Sequence, residues 1–178
     1  GLAGAEAMGD LPIHNYKGGN WTDGAEEISG QSLAEQHSVK QAFCFACPIG
    51  CGHRVDAQLT DGTHIQGEGP EYETLAGLGA LLEMNDLDTI LKANDYCNRM
   101  GMDTISASGT AAFAFEAFEN GLIQVADCDG VALQWGNPQS LLTVLQLMAE
   151  RRGAGEVLSR GARAAALHYG NGSEEYAI

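Results

Sequence analysis

The sequence predicts a mainly α protein, a multihelical domain with one small β-hairpin. From Pro70 onward, apolar residues recur at the three- and four-residue spacing of amphipathic helices. Helix start and stop residues, such as Asp86 and Gly101, frame these periodic stretches. Strict alternation of apolar and polar residues is confined to residues 55–59, and the continuous apolar runs typical of a parallel sheet are not found.

The first part of the chain, residues 1–68, is predicted to contain little regular structure. Up to Gly30 it is rich in Gly, Asn and Asp without helical or strand periodicity, which indicates an irregular segment. Ser32 and Glu35 match a capping-box pattern, so we expect a short helix from Ser32 to about Val39.

A single hairpin is predicted near the end of this part. Val55, Ala57 and Leu59 alternate with polar residues, and Asp61-Gly62 then turns the chain into residues 63–66. Alternation followed by Asp-Gly is typical of two antiparallel strands joined by a tight turn. We expect this hairpin to be the only clear sheet.

The second part, residues 69–178, is predicted to be a helical domain that continues beyond Ile178. Leu75 and Leu78 begin the apolar stripe of its first helix, and Asn137-Pro138 supplies a helix start of the N-cap and first-position proline type. At least four helices are expected between residues 70 and 170. The predicted helices span approximately residues 70–82, 86–100, 104–119, 138–152 and 155–170.

The composition narrows the class of protein. The chain of 178 residues carries 24 acidic against 9 basic side chains, a formal charge of −15, so contact with nucleic acid or anionic lipid is disfavoured. The sequence contains no apolar run of about 18 residues, which is the length that would predict a membrane span, and its first residues do not match an export signal. We therefore expect a cytoplasmic protein, or one from a salty environment. Because no Met opens the chain and a strand-like run barely begins at Ile178, we expect further domains on both sides.

The strongest chemical signal is a run of three thiols. Cys44, Cys47 and Cys51 stand at C-x2-C-x3-C spacing, and we expect their sulfur atoms to converge on one centre. Thiolates are preferred ligands of iron–sulfur clusters and of zinc. An odd number of five cysteines and no export signal argue against disulfides.

The residues alone leave the metal and the fourth ligand open. An iron–sulfur cluster is one interpretation, and structural zinc with His53 as its fourth ligand is the other. For a cluster, the fourth thiolate comes from Cys97, from Cys128 or from beyond Ile178, and inert buried cysteines remain a third interpretation.

Two further stretches each have a structural and a functional interpretation. Residues 67–73 place three carboxylates at a helix start, where they complement the helix dipole or provide a base in a closed pocket. Residues 98–106 form a helix end, a glycine turn and a new helix start capped by Asp103. The structural interpretation is that such a junction only caps its second helix. The functional interpretation is that its unsatisfied backbone N–H groups bind a phosphate or the edge of a heterocycle.

In this order and spacing, these stretches resemble the aldehyde ferredoxin oxidoreductase family. The resemblance covers essentially the whole chain. It rests on residues 11–16, 27–30, 44–51, 69–74, 98–106, 150–153, 159–161 and 172–175.

The resemblance implies a tungsten or molybdenum bis-pterin centre beside a 4Fe-4S cluster. Such a protein oxidises an aldehyde to a carboxylic acid, with a ferredoxin or another electron-carrier subunit as its partner. Cys44, Cys47 and Cys51 would then be three cluster ligands, with the fourth in a later pterin motif downstream of Ile178. A pterin-covering domain before this chain is also implied, and a homodimer is expected. A benzoyl-coenzyme A reductase of the same family and a zinc-stapled helical binding module are the alternatives.

The resemblance also assigns roles at the junction and the helix start. Asn98, Gly101, Met102 and Asp103 match the family's first pterin motif, D-x-x-G-L-D, with Asn98 in place of the first Asp and Met102 in place of Leu. Glu73 falls on the family's candidate active-site carboxylate. We expect the helix that begins at Pro70 to aim Glu73 inward while Glu71 points elsewhere, since two residues apart on a helix do not share a face.

Overall fold

The computed structural model describes all residues from Gly1 to Ile178 and confirms a mainly α fold with a small antiparallel sheet. The α-helices are α1 Leu2–Met8, α2 Ile13–Tyr16, α3 Thr22–Glu27, α4 Gly30–Gln36, α5 Tyr72–Leu78, α6 Leu87–Met100, α7 Thr104–Glu119, α8 Pro138–Glu150, α9 Gly155–Leu158 and α10 Ala162–Tyr169. The strands are β1 Ser38–Ala42, β2 Gly52–Gln58 and β3 His64–Glu68. Short 3-10 turns cover Ala80–Leu82, Val125–Cys128 and Ser173–Tyr176.

Helix α7 is the centre of the core. Ten of its residues between Ala107 and Ala117 are buried, including Phe113 and Phe115. A helix that is apolar on nearly every side is a buried helix, and α5, α8 and α10 pack around this one. Its bounds agree with the prediction, because Asp103 accepts a hydrogen bond from the Ser106 amide and fixes the first turn.

The other long helices also begin where their caps predict. The side chain of Asp86 accepts from the Thr89 amide, and that of Asn137 accepts from the Ser140 amide. The predicted fifth helix is divided into α9 and α10 at Gly161, whose φ of 92° is unfavourable for other residues.

Two predictions for the first part of the chain were wrong. Residues 1–30 contain three short helices rather than an irregular segment, and α2 is a single turn in which His14 and Asn15 have left-handed dihedral angles. The helix of the predicted capping box is capped by Ser29 rather than Ser32, because the Ser29 side chain accepts from the Ser32 amide. That helix ends at Gln36.

The sheet contains one strand more than the predicted hairpin. The hairpin of β2 and β3 turns at Asp61-Gly62 as expected, and β1 pairs antiparallel with the other edge of β2 in the order β1-β2-β3. The register sets Ala42 opposite Gly52 and Gln41 opposite His53. The segment between β1 and β2 is therefore a loop whose ends are held together by the sheet.

Asp88, in the first turn of α6, joins the sheet to the helices. Its Oδ2 accepts hydrogen bonds from the Thr60 amide at 2.8 Å and the Thr60 hydroxyl at 2.6 Å, at the hairpin turn. Its Oδ1 lies 3.7 Å from Nε2 of the buried His37. A buried carboxylate with several donors fixes its neighbours in place.

We expect Asp88→Ala to lower the free energy of unfolding by about 1–3 kcal/mol, since it removes a charged acceptor that holds two hydrogen bonds from Thr60. Urea-induced unfolding measures the change. Asp95→Ala on the same helix removes only an exposed i,i+4 pair with Arg99 and should cost less than about 1 kcal/mol. Equal effects of the two variants would contradict the role given to Asp88.

Candidate functional site

The three predicted metal ligands lie together on the loop between β1 and β2. Cys44 and Cys51 are exposed and Cys47 is half-buried. The Cys47 amide donates to the Cys44 carbonyl at 3.1 Å, and Ala46 and Gly50 take left-handed φ values of 57° and 59°. A side chain at Gly50 would also meet the exposed Phe43 ring, so glycine is favoured at this position.

The loop carries all three cysteines without forming a ligand set by itself. No group of three Cys, His, Asp or Glu side chains in this structure is arranged to hold a metal ion, so the expected convergence of the sulfur atoms is not seen. Metal binding and the local order of such a loop are coupled. The donor set, three thiols on one short exposed loop, fits a centre that also takes a ligand from elsewhere.

Cys97 and Cys128 lie in the core, whereas the cysteine loop is largely exposed. Both are fully buried in the core, Cys97 on α6 and Cys128 in a 3-10 turn. Burial raises the pKa of each thiol to about 11, with smaller contributions from nearby carboxylates. They remain neutral thiols near pH 7 and pack as small apolar residues.

One cavity extends from the cysteine loop to the helix junction at residues 98–106. We call it the sheet–helix cavity, and its volume is about 440 Å³. It lies between the sheet, the starts of α5 and α7, and the C-terminal half of α6. Both Cys44 and Asn98 line it. The other lining residues are Ala42, Phe43, Gly52, His53, Arg54, Glu68, Gly69, Glu71, Thr74, Asn94 and Thr104. Two sites that are 54 positions apart in sequence thus share one space.

The four residues of the junction are divided between two cavities. Asn98 faces the sheet–helix cavity, whereas Gly101, Met102 and Asp103 line a second cavity of about 480 Å³. Gly101 ends α6 with a left-handed φ of 68°. The Ser106 amide, with smaller contributions from the Ser106 hydroxyl and the Ile105 amide, holds the pKa of Asp103 below its usual range. Asp103 is therefore an ionised acceptor as well as a helix cap.

The helix start at residues 70–73 presents its carboxylates differently from the expectation. Glu71 and Glu73 are both exposed, and only Glu71 lines the sheet–helix cavity. Glu71 precedes the first turn of α5 as its N-cap and has extended backbone, so the helical period does not set the direction of its side chain. The cavity lining thus includes Glu71 and not Glu73. The catalytic role of Glu73 stays a proposal.

Sequence reasoning places Asn94 on the inward face of its helix but gives it no role at the site, and it gives His53 only a zinc-binding role. The Asn94 side chain is buried and donates to the Glu68 carbonyl at 2.9 Å, which ties α6 to β3 beside the cavity. The His53 Nδ1 atom is buried and has no hydrogen-bond partner. The alternation of His53 with Val55 and Ala57 indicates the inward face of β2 and could have identified it.

Several large apolar side chains near the cysteine loop are exposed. Phe45 is fully exposed at 103%, and Phe43 and Ile49 are 60% and 72% exposed. A group of neighbouring exposed apolar residues often marks a surface that packs against another protein segment. None of the helices combines the length and the apolar character needed to cross a membrane.

The chain is similar to known proteins over its whole length. A family model described as aldehyde ferredoxin oxidoreductase, domains 2 and 3, matches residues 1–178. The tungsten-containing aldehyde ferredoxin oxidoreductase of Pyrococcus furiosus is 40% identical over 164 residues, covering 92% of this chain and 26% of that protein. The corresponding protein of Thermococcus kodakarensis is 38% identical over 164 residues, again with 92% and 26% coverage.

A solved structure supports the same relationship. The active-site complex BamBC of benzoyl-coenzyme A reductase, bound to 1,5-dienoyl-CoA, superposes with a TM-score of 0.70 at 28% sequence identity. The match covers 88% of this chain and 23% of that one. This chain thus spans about a quarter of the length of the proteins it resembles. On the family match and the identity to its curated members, the chain belongs to the aldehyde ferredoxin oxidoreductase family.

Proposed function

We propose that this chain is part of an oxidoreductase that converts aldehydes to carboxylic acids at a tungsten or molybdenum bis-pterin, with a 4Fe-4S cluster as the electron relay. The observation that supports this most directly is the sheet–helix cavity, which both Cys44 and Asn98 line. A relay requires the electron-accepting cluster and the pterin to be neighbours, and this cavity places one residue of each proposed binding set in a common space.

In this proposal Cys44, Cys47 and Cys51 would bind the cluster as thiolates, and a fourth ligand would come from outside this chain. Asn98 would hydrogen-bond the pterin from the sheet–helix cavity through a neutral amide, and Asp103 would do so from the second cavity through an ionised carboxylate. Gly101 and Met102 offer backbone groups at the turn between α6 and α7. When bound, the pterin-held metal supplies the oxidising power for a two-electron reaction.

The substrate reaction balances as aldehyde plus water giving a carboxylic acid, two protons and two electrons. Glu73 is the proposed base that takes one of those protons from water or from the aldehyde hydrate. It is exposed in this chain, so the rest of the protein would have to enclose it. We propose a ferredoxin or another electron-carrier subunit as the acceptor of the electrons, a cytoplasmic setting that keeps the thiols reduced, and a homodimer.

The structural neighbour favours one second candidate, the reduction of an aromatic thioester. BamBC carries a dienoyl-CoA ligand by its own description, and its likeness to this chain is comparable in coverage to that of the aldehyde enzymes. The two candidates differ in the substrate and the direction of electron flow.

The metal content of the full-length protein, purified without oxygen, tests the proposal. We expect iron and acid-labile sulfide together with tungsten or molybdenum, and aldehyde-dependent reduction of a viologen dye. Turnover of benzoyl-coenzyme A with a reduced dye and no aldehyde oxidation would favour the second candidate. Zinc alone, without acid-labile sulfide, would support the zinc-stapled binding module instead.

A further inference from the structure

His53 is positioned by the sheet next to the base of the cysteine loop. Strands β1 and β2 pair Gln41 with His53 and Ala42 with Gly52, so Cys44 begins the loop two residues beyond the last pair. The His53 carbonyl accepts a hydrogen bond from the Gly69 amide at 2.8 Å, which fixes its backbone. The register of the sheet therefore determines how close the imidazole lies to the start of the loop.

The imidazole is on the inward face of the sheet and has an unused polar atom. Val55 and Ala57, which share this face, are buried at 2% and 0% exposure. The Nδ1 atom of His53 is buried and lacks any partner, whereas the buried Asn94 side chain of the same cavity already donates from Nδ2 to the Glu68 carbonyl. Buried polar atoms in folded proteins are nearly always hydrogen-bonded, so this atom calls for a partner.

We propose that His53 is a positioning residue for the cluster and donates an Nδ1–H hydrogen bond to the Cys44 thiolate. Both residues line the sheet–helix cavity. The inference rests on the proposed cluster. Hydrogen bonds to the sulfur ligands are among the features that set a cluster's reduction potential. A donor at the thiolate stabilises the more negative, reduced cluster, so His53 raises the potential.

Three variants of the full-length protein separate this role from a packing role. His53→Leu removes both ring nitrogens while keeping an apolar side chain. His53→Asn keeps an amide N–H at the same number of bonds from Cβ as Nδ1, whereas His53→Gln places it at the number of bonds that leads to Nε2. His64→Leu is the matched control, since this exposed histidine of β3 pairs with Asp56 outside the cavity.

The reduction potential, measured by titration followed by electron paramagnetic resonance, is the readout. We expect His53→Leu and His53→Gln to shift the potential to more negative values, with the wild-type iron and sulfide content retained. His53→Asn and His64→Leu should keep the wild-type potential. The restored value in His53→Asn is the result that packing alone does not produce.

Two results would overturn the role of His53 and leave the proposed function standing. One is a wild-type potential in His53→Leu with a full complement of iron. The other is loss of the metal in both His53→Leu and His53→Asn, which would make His53 a ligand. A wild-type protein that lacks iron and acid-labile sulfide would overturn the proposed function, and the role of His53 with it.

Discussion

Cys47→Ser is expected to reduce the iron and acid-labile sulfide content of the full-length protein by on the order of tenfold or more. Changes to residues that only support a metal ligand already cost 10–100-fold in metal affinity, so loss of a thiolate ligand should cost at least as much. Cys47 is the middle thiol of the loop, and its amide also bonds the Cys44 carbonyl. A serine hydroxyl is a poor substitute because thiolates are the preferred ligands of iron–sulfur clusters.

Cys128→Ala provides the matched control. Cys128 is equally a cysteine, but it is fully buried and burial raises the pKa of its thiol to about 11. We expect this variant to keep its iron while losing some stability. Iron content that falls equally in both variants, or in neither, would contradict the assignment of the loop as the cluster site. Colorimetric iron and sulfide analysis, normalised to folded protein by circular dichroism, gives the comparison.

Glu73→Gln is expected to lower the turnover of aldehyde by about a hundredfold or more in the full-length enzyme, because general base catalysis contributes 10²–10⁴-fold. The substitution keeps the size and hydrogen-bonding capacity of the side chain and removes its charge. Cluster and pterin contents should be unchanged, so the loss should fall on kcat. Steady-state kinetics with a viologen acceptor, together with metal analysis, measures both quantities.

Glu119→Gln is the control for this experiment, and Glu71→Gln tests the competing assignment of the base. Glu119, exposed at the end of α7, should tolerate Glu119→Gln with wild-type turnover. Glu71 faces the sheet–helix cavity, so a loss confined to Glu71→Gln would transfer the proposed base from Glu73 to Glu71. Near-normal turnover in Glu73→Gln would leave that residue as a carboxylate that complements the dipole of α5.

The features that sequence reasoning located correctly are those with local causes. Asp86, Asp103 and Asn137 begin α6, α7 and α8 because each side chain bonds an amide three residues later. The hairpin turn at Asp61-Gly62 is likewise a local preference of four residues. The cysteines share a loop because eight consecutive residues hold all three.

The features that were missed depend on distant partners. β1 is a strand because β2 lies beside it, and its sequence, Ser38–Ala42, has no apolar alternation strong enough to indicate this. His14 and Asn15 have positive φ values, which are unfavourable for residues other than glycine. Packing against distant residues, such as the stacking of His14 on Trp135, has to maintain this turn. Local propensity carries no information about either.

The amino-acid sequence by itself determined the helical class, the grouping of Cys44, Cys47 and Cys51, and the Gly-Asp junction at residues 101–103, because caps, periodicity and spacing act over a few residues. Only the tertiary structure decided that Cys44 and Asn98 line one cavity, that Glu71 rather than Glu73 faces it, and that the imidazole of His53 lies beside the cysteine loop. The physical reason is that these relations follow from strand register and from the face on which each helix is buried. Both are fixed by contacts between residues far apart in the chain.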